Sequence, residues 1–236
     1  MRKKLLISGG GGKFASEIKK QNTEYEIYAP SKSSMDITDL NNVNDVICDF
    51  KPDIFLHPAA LTRPMIKHIE NPEKSITINI IGTSNVCLVC MKSDIKLVYV
   101  STDYVYPGTE GNYKETDPLL PVNNYAWSKL GGECAIRLYK NSLILRTCMT
   151  ERPFVHEKAL VDSQKNLMYI DEAAGICLRL LKEKGIINLG GEPTNSYDFI
   201  KDERPDVKKI YRKDILDVNM AMDSTMDITK LREMLK

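Results

Sequence analysis

Lys4 to Ile18 reads KLLISGGGGKFASEI, and this stretch decides the fold. Leu5, Leu6 and Ile7 form a short continuous apolar run, as expected of a strand buried on both faces of a sheet. Gly9, Gly10, Gly11 and Gly12 follow, and Lys13-Phe14-Ala15-Ser16-Glu17-Ile18 then opens a helical pattern. Strand, glycine turn and helix, in that order, is the context in which a glycine-rich motif carries meaning. Counted from Gly9 the pattern is GxxGxxA. Gly9 permits the tight turn, Gly12 lets backbone approach a pyrophosphate at the helix N-terminus, and Ala15 allows close helix–strand packing.

Working outward, Glu26 to Ala29 reads as a second strand. An acidic residue at this strand's end selects NAD by binding the ribose hydroxyls. Here the chain continues Ala29-Pro30-Ser31-Lys32-Ser33-Ser34, with no carboxylate before Asp36. Ser31, Lys32 and Ser33 suit a 2′-phosphate better, so NADP is the expected cofactor and NAD the alternative. Asp36-Ile37-Thr38-Asp39 leads into a helical pattern with Leu40, Val43, Val46 and Ile47. Asp53 to Leu56 is a third strand, ending in His57-Pro58-Ala59-Ala60. Small residues there let a ligand lie across the strand end, and His57 reads as a packed, hydrogen-bonded side chain. Leu61 to Asn71 is a loop or broken helix, and Pro72 to Ser93 one long helix. Asn79 and Gly82, poor helix formers in its middle, call for a packing or binding reason.

The stretch from Leu97 to Leu130, LVYVSTDYVYPGTEGNYKETDPLLPVNNYAWSKL, holds the candidate chemistry. Leu97 to Val100 reads as another buried strand, with Ser101, Thr102 and Asp103 at its carboxyl end. A Gly/Pro/Asn-rich loop precedes a helix opening at Asn123 or Asn124, either a good N-cap. Tyr125 and Lys129 then share one helix face. An ammonium beside a phenol favours phenolate, so the expectation is a Tyr125 pKa lowered towards neutrality. Such a tyrosine gives or takes a proton at an alcohol oxygen, which Thr102 also reaches.

Strands alternate with helices throughout this part, as in a parallel sheet covered on both faces. The expected fold is α/β, a Rossmann-like doubly wound parallel sheet with a small C-terminal substrate-binding portion. Residues 1–146 form the dinucleotide-binding domain in this reading, ending with the strand Ser142 to Arg146; residues 147–236 form the reduced substrate portion packed on it. In that portion Asp171 to Lys184 reads as an amphipathic helix, Ile186 to Leu189 as a strand, Asn195 to Ile200 as a possible helix start and Met226 to Lys236 as a terminal helix.

Composition excludes several classes. A net charge of +1 gives no electrostatic case for nucleic acid or an anionic membrane. The apolar runs are read as too short to span a bilayer, and Leu5 to Ile7 as too short for a signal peptide. Six scattered cysteines, with only Cys87 and Cys90 close, read as reduced thiols of a cytoplasmic protein, and no metal site is expected.

SGGGGKFA, DITD, HPAALT, NIIGTSNV, STDYVY, NNYAWSK, YIDEAAG and INLGGE, in this order, resemble the extended short-chain dehydrogenase/reductase superfamily. Within it the chain is most similar to the dTDP-4-dehydrorhamnose reductase group. The resemblance implies Thr102, Tyr125 and Lys129 as catalytic residues. It implies NAD(P) held by Gly9, Gly11, Gly12, Lys13, Phe14, Ser31, Lys32, Asp36, Ile37, Ala59, Ala60, Asn79, Ser101 and Lys129. The implied activity is reduction of a nucleotide-linked keto sugar in polysaccharide precursor synthesis. An NAD-dependent epimerase using the same residues is the alternative, and a non-catalytic NAD(P)-binding regulatory subunit is the alternative of another class. A 4,6-dehydratase carries Glu where this chain has Tyr104. The resemblance also implies a homodimer through the helices after Pro72 and around Tyr125. The region after Arg146 is shorter than in the family, so no substrate residue carries over by motif; Arg63, Lys114 and Arg152 are the cations near the expected cleft.

Overall fold

The computed structural model describes residues 2–236. Its strands are β1 (Lys3–Ile7), β2 (Tyr25–Tyr28), β3 (Ile54–His57), β4 (Lys96–Val100), β5 (Ser142–Thr150), β6 (Lys158–Leu160), β7 (Gln164–Lys165), β8 (Leu167–Tyr169), β9 (Gly185–Leu189), β10 (Thr194–Asn195) and β11 (Lys208–Ile210). The helices are α1 (Lys13–Gln21), α2 (Leu40–Phe50), α3 (Lys67–Glu70), α4 (Pro72–Ser75), α5 (Thr83–Lys92), α6 (Asn124–Arg137), α7 (Ile170–Leu180), α8 (Ser196–Ile200) and α9 (Thr229–Met234). The main sheet runs β2-β1-β3-β4-β5, and both β8 and β9 pair with β5. Every pairing in it is parallel.

Side chains of these strands alternate between two cores, as the pleat requires. Leu5, Ile7, Ile54, Leu56, Val98 and Val100 face one side, with α1, α7 and α9. Leu6, Phe55, Leu97 and Tyr99 face the other, with α2, α5 and α6. Both faces being covered explains why the strands read as unbroken apolar runs. The chain reverses its direction across the sheet between β1 and β3, so the crevice at their carboxyl ends is the expected ligand site.

Pro72 to Lys92 is one continuous helix, but its middle, Ile76–Gly82, is a widened π-helical segment. Asn79 sits there fully buried, with Leu61 N–H donating to its Oδ1 at 2.7 Å and its Nδ2 donating to Leu61 O at 2.9 Å and Ser128 Oγ at 2.8 Å. A Cβ on Gly82 would come within 2.9 Å of Ile37, which gives the packing reason for that glycine. By length and composition this helix is apolar enough to cross a membrane, which corrects the reading that all apolar runs are too short. Its buried side packs on α2, α6 and the sheet, as the core helix of an α/β layer does.

The C-terminal elements depart from the sequence pattern at their ends. β5 continues through Arg146 to Thr150, so the position of the assigned domain boundary lies inside a strand. The last helix begins only at Thr229, because Met226 is buried in a bridge to Tyr113.

Candidate active site

Gly9 adopts φ +65°, and a Cβ there would stand 3.1 Å from Ala59 Cβ. Small residues on both turns therefore let the ends of β1 and β3 come together, with Ala59 N–H donating to Ser8 Oγ at 3.2 Å. Gly10 is closed to any side chain: its Cβ would fall 1.9 Å from Ala29 O. Gly11 faces open space instead. Gly12 is the N-cap of α1 and supplies no side-chain cap, so the first-turn amides have no such acceptor. Uncapped amides under an open glycine face fit the pyrophosphate of a dinucleotide. Phe14 packs half-buried on the core behind this turn. Lys13 pairs with Glu151, and Arg63 lies 3.6 Å from the same carboxylate.

The other expected cofactor residues divide between surface and interior. Ser31 and Lys32 are exposed, with Ser31 Oγ 2.7 Å from Ser33 Oγ and Lys32 Nζ 3.7 Å from Asp36 Oδ2. Asp36 Oδ1 accepts from Thr38 N–H and Oγ1 at 3.0 and 2.8 Å, closing its own turn. Lys32 and Thr38 border a surface depression shared with Asn71 and Thr77. Ile37 is buried against Gly82, and Ala60 lies half-buried beyond β3. Asn79 acts on the Leu61 loop as described, and Ser101 donates to Glu133 Oε2 at 2.9 Å, so both stand behind the cleft wall. His57 is buried between Ser8 Oγ (2.7 Å) and Thr83 Oγ1 (3.1 Å), and burial beside Lys129 pushes its pKa down to about 3. Among the described residues no cluster of His, Cys, Asp or Glu has the makings of a metal site.

Thr102, Tyr125 and Lys129 do come together. Asn123 Oδ1 accepts from Ala126 N–H at 3.0 Å, which starts α6 and sets Tyr125 in its first turn. One turn later Lys129 Nζ donates to Val100 O at 2.8 Å and lies 4.1 Å from the centre of the Tyr99 ring. Thr102 faces the Tyr125 hydroxyl and donates to Asp103 Oδ1 at 3.0 Å.

The expected direction of the Tyr125 shift is reversed. Burial pushes its phenol up, the Asp103 carboxylate adds to this, and only Thr102 opposes it. Burial likewise pushes the Lys129 amine down to about 7, with Glu133 pulling it back. The physical reason is desolvation: a dry site favours the neutral form of both groups, and Lys129 is not among the groups that shift Tyr125. Lys129 points at the Val100 carbonyl, and Tyr125 is held as a neutral phenol, a proton donor.

Sequence reading missed two contributors. Asp103 is buried and its carboxylate accepts from Thr102 and, at 2.6 Å, from Ser224 Oγ. Lys165, on β7, is buried and donates to Tyr104 Oη. No motif marks Lys165; its neighbours in the sequence are polar and its strand is only two residues long. Of the cations named from sequence, Arg152 has other partners: it lies 3.5 to 3.8 Å from Glu172, Glu203 and Asp171 and stacks on Tyr169.

The chain is similar to several known proteins. A dTDP-4-dehydrorhamnose reductase of Aggregatibacter actinomycetemcomitans is 34% identical over 152 residues, covering 62% of this chain and 51% of that protein. The methionine adenosyltransferase 2 subunit beta of Xenopus tropicalis is 27% identical over 212 residues, covering 77% of this chain and 63% of that one. The chain thus spans about half to two-thirds of the length of these relatives. A solved dTDP-4-dehydrorhamnose reductase of Bacillus anthracis, in complex with NADP, superposes with a TM-score of 0.88 at 23% identity, over 99% of this chain and 92% of that one. The Rossmann-like fold is therefore shared from end to end. Residues 3–151 match the model of the RmlD substrate binding domain, and the chain belongs to that family.

Proposed function

We propose that this protein is an NAD(P)-dependent reductase of a nucleotide-linked keto sugar of the dTDP-4-dehydrorhamnose type. The observation that carries the reading is the convergence of Thr102, Tyr125 and Lys129 beyond β4, beside an uncapped glycine turn. The dinucleotide, when bound, supplies the hydride. Tyr125, kept protonated by burial, donates its proton to the oxygen of the reduced carbon. Thr102, anchored on Asp103, orients the phenol. Lys129, its amine pushed down to about 7 and fixed on Val100 O, would hold the nicotinamide ribose. NADP is the preferred cofactor in this reading, because the exposed Lys32 stands beside Ser31 and Ser33 at the end of β2.

The similarity to a methionine adenosyltransferase subunit favours a second reading, a non-catalytic NAD(P)-binding subunit. NADPH oxidation by the purified protein with dTDP-4-dehydrorhamnose separates the two. Turnover supports the reductase; calorimetric NADPH binding with no turnover supports the subunit. We also place the protein in the cytoplasm, in line with its unpaired cysteines, and infer a homodimer. Ile76, Ile81, Leu88 and Met91 of the long helix and Trp127 of α6 leave an apolar exposed side. Light scattering that returns a monomer at micromolar concentration removes the dimer.

A further inference from the structure

Lys165 is a buried cation that the catalytic set does not use. Burying an ammonium is costly unless it is compensated, yet its neighbours hold it firmly in place. Ser163 Oγ donates to Ala221 O at 2.7 Å. Asn166 Nδ2 donates to Gly191 O at 2.7 Å, and Asn166 Oδ1 accepts from Met226 N–H at 2.6 Å. β7 also pairs with β10, Lys165 opposite Thr194. The amine carries three N–H donors, and among the described residues its one hydrogen-bond partner is Tyr104 Oη. Tyr104 in turn accepts from Lys165, and its own proton has no acceptor among the described residues. Asp103 supports the ammonium through space, since both its oxygens are engaged by Thr102 and Ser224.

This donor-rich pair stands at the reacting centre. Tyr104 lies two residues beyond Thr102, its N–H donating to Thr102 Oγ1 at 3.3 Å, and it is close enough to act electrostatically on Tyr125. A sugar whose keto oxygen meets Tyr125 therefore presents a neighbouring substituent to Tyr104 and Lys165. A neutral acceptor suits them better than an anion, because the buried Asp103 would repel a carboxylate. We propose that Tyr104 and Lys165 are specificity-determining residues that donate hydrogen bonds to the hydroxyl on the carbon next to the one reduced. The proposal rests on the reductase reading above. A vicinal hydroxy ketone is then the preferred substrate class, because a deoxy analogue leaves buried donors unpaired.

The test compares kcat/KM for dTDP-4-dehydrorhamnose and for its counterpart lacking the 3-hydroxyl, followed by NADPH oxidation. Wild type should prefer the hydroxylated substrate roughly ten- to a hundred-fold, the range for an unpaired buried donor. In Lys165→Met and in Tyr104→Phe that ratio should fall towards one, mainly through KM for the hydroxylated substrate. Thermal melts check that each variant folds; if Lys165→Met does not, Tyr104→Phe, which keeps the ring, reads the same ratio. A ratio unchanged in the folded variants, whatever their absolute rates, overturns the proposal, since a purely structural role would affect both substrates alike. Wild-type turnover without preference also overturns it and leaves the reductase reading standing. Wild type inert with both substrates removes the reductase reading and the proposal together.

Discussion

The N-terminal and C-terminal regions each bring one lysine to one tyrosine, and they build the pairs in opposite ways. Tyr125 and Lys129 come from a single helix turn of α6, in the region that matches the family model. Tyr104 and Lys165 come from separate segments, joined only by the fold. Lys129 is pushed down to about 7 by burial, with only Glu133 opposing. Lys165 is equally buried but is pushed up, because Tyr104, Cys148 and Asp103 together outweigh desolvation. The difference teaches that burial alone does not set the charge of a lysine. The number and placement of acidic groups around it do.

The sharpest break of this comparison is at Tyr125. Tyr125→Phe keeps the ring's packing and removes the proton donor, so turnover should fall by roughly two to four orders of magnitude, while calorimetry shows cofactor binding close to wild type. Full turnover in that variant would leave Tyr104 as the only tyrosine donor at the centre and invert the roles of the pairs. Next in size is the pin beneath the first pair. Arg146 and Glu133 are both fully buried, 2.5 Å apart, with Ser101 and Tyr106 completing the network. Arg146→Ala strands the carboxylate and should cost about 3–5 kcal/mol in urea denaturation.

The two regions also differ in how far they could be read from sequence. β1, β3 and β4 announce themselves because both faces are covered, so their residues are apolar without interruption. Gly9 to Gly12, Thr102, Tyr125 and Lys129 were legible because a local pattern places them: a turn, a strand end, a helix face. Lys165 was not, because β7 and β10 are short and are held by side chain to backbone bonds from Ser163 and Asn166, which leave no periodic trace. The reversed Tyr125 shift was illegible for another reason: spacing shows that Lys129 is near, and only coordinates show that it faces Val100 O. Ser101 and Asn79 were found by position, but which way their side chains turn was not readable.

Those polar pins suggest a middle-sized effect. Asn166→Ala deprives the buried Met226 N–H of its acceptor and Gly191 O of a donor. The expected loss is about 1–3 kcal/mol, the penalty for a buried unsatisfied group. Hydrogen exchange should show it as faster opening around β7 and residues 220–228, with β1, β3 and β4 unaffected. Uniform acceleration across the sheet would mean that the C-terminal region is not held separately by these bonds.

The gentlest effect is a slope, and it tests the contrast between the lysines directly. In the cofactor-free protein the Lys129 amine has a pKa of about 7, against about 10.4 for an unfolded lysine. Between those values the unfolded chain holds a proton that the folded chain does not. Stability therefore rises with pH through that window, by at most about 1.4 kcal/mol per pH unit for one group. Below pH 7 both states hold the proton, so the full penalty of charging a buried amine is present. Lys96, pushed down to about 8 by burial with Lys184 adding, contributes a second rise of the same sign that starts higher. His57, at about 3, lies outside the window. Lys165 gives the opposite sign: its raised pKa contributes stability that is complete below the unfolded value and is lost only above it. Urea midpoints from pH 6 to 8 should thus climb in wild type, climb less in Lys129→Met, and climb as in wild type in Lys165→Met; above about pH 8.5 the thiols of Cys87, Cys90, Cys148 and Cys177, all pushed up by burial, contribute a fall in every variant. Equal slopes for wild type and Lys129→Met would show that Lys129 keeps its proton when buried, as Lys165 does.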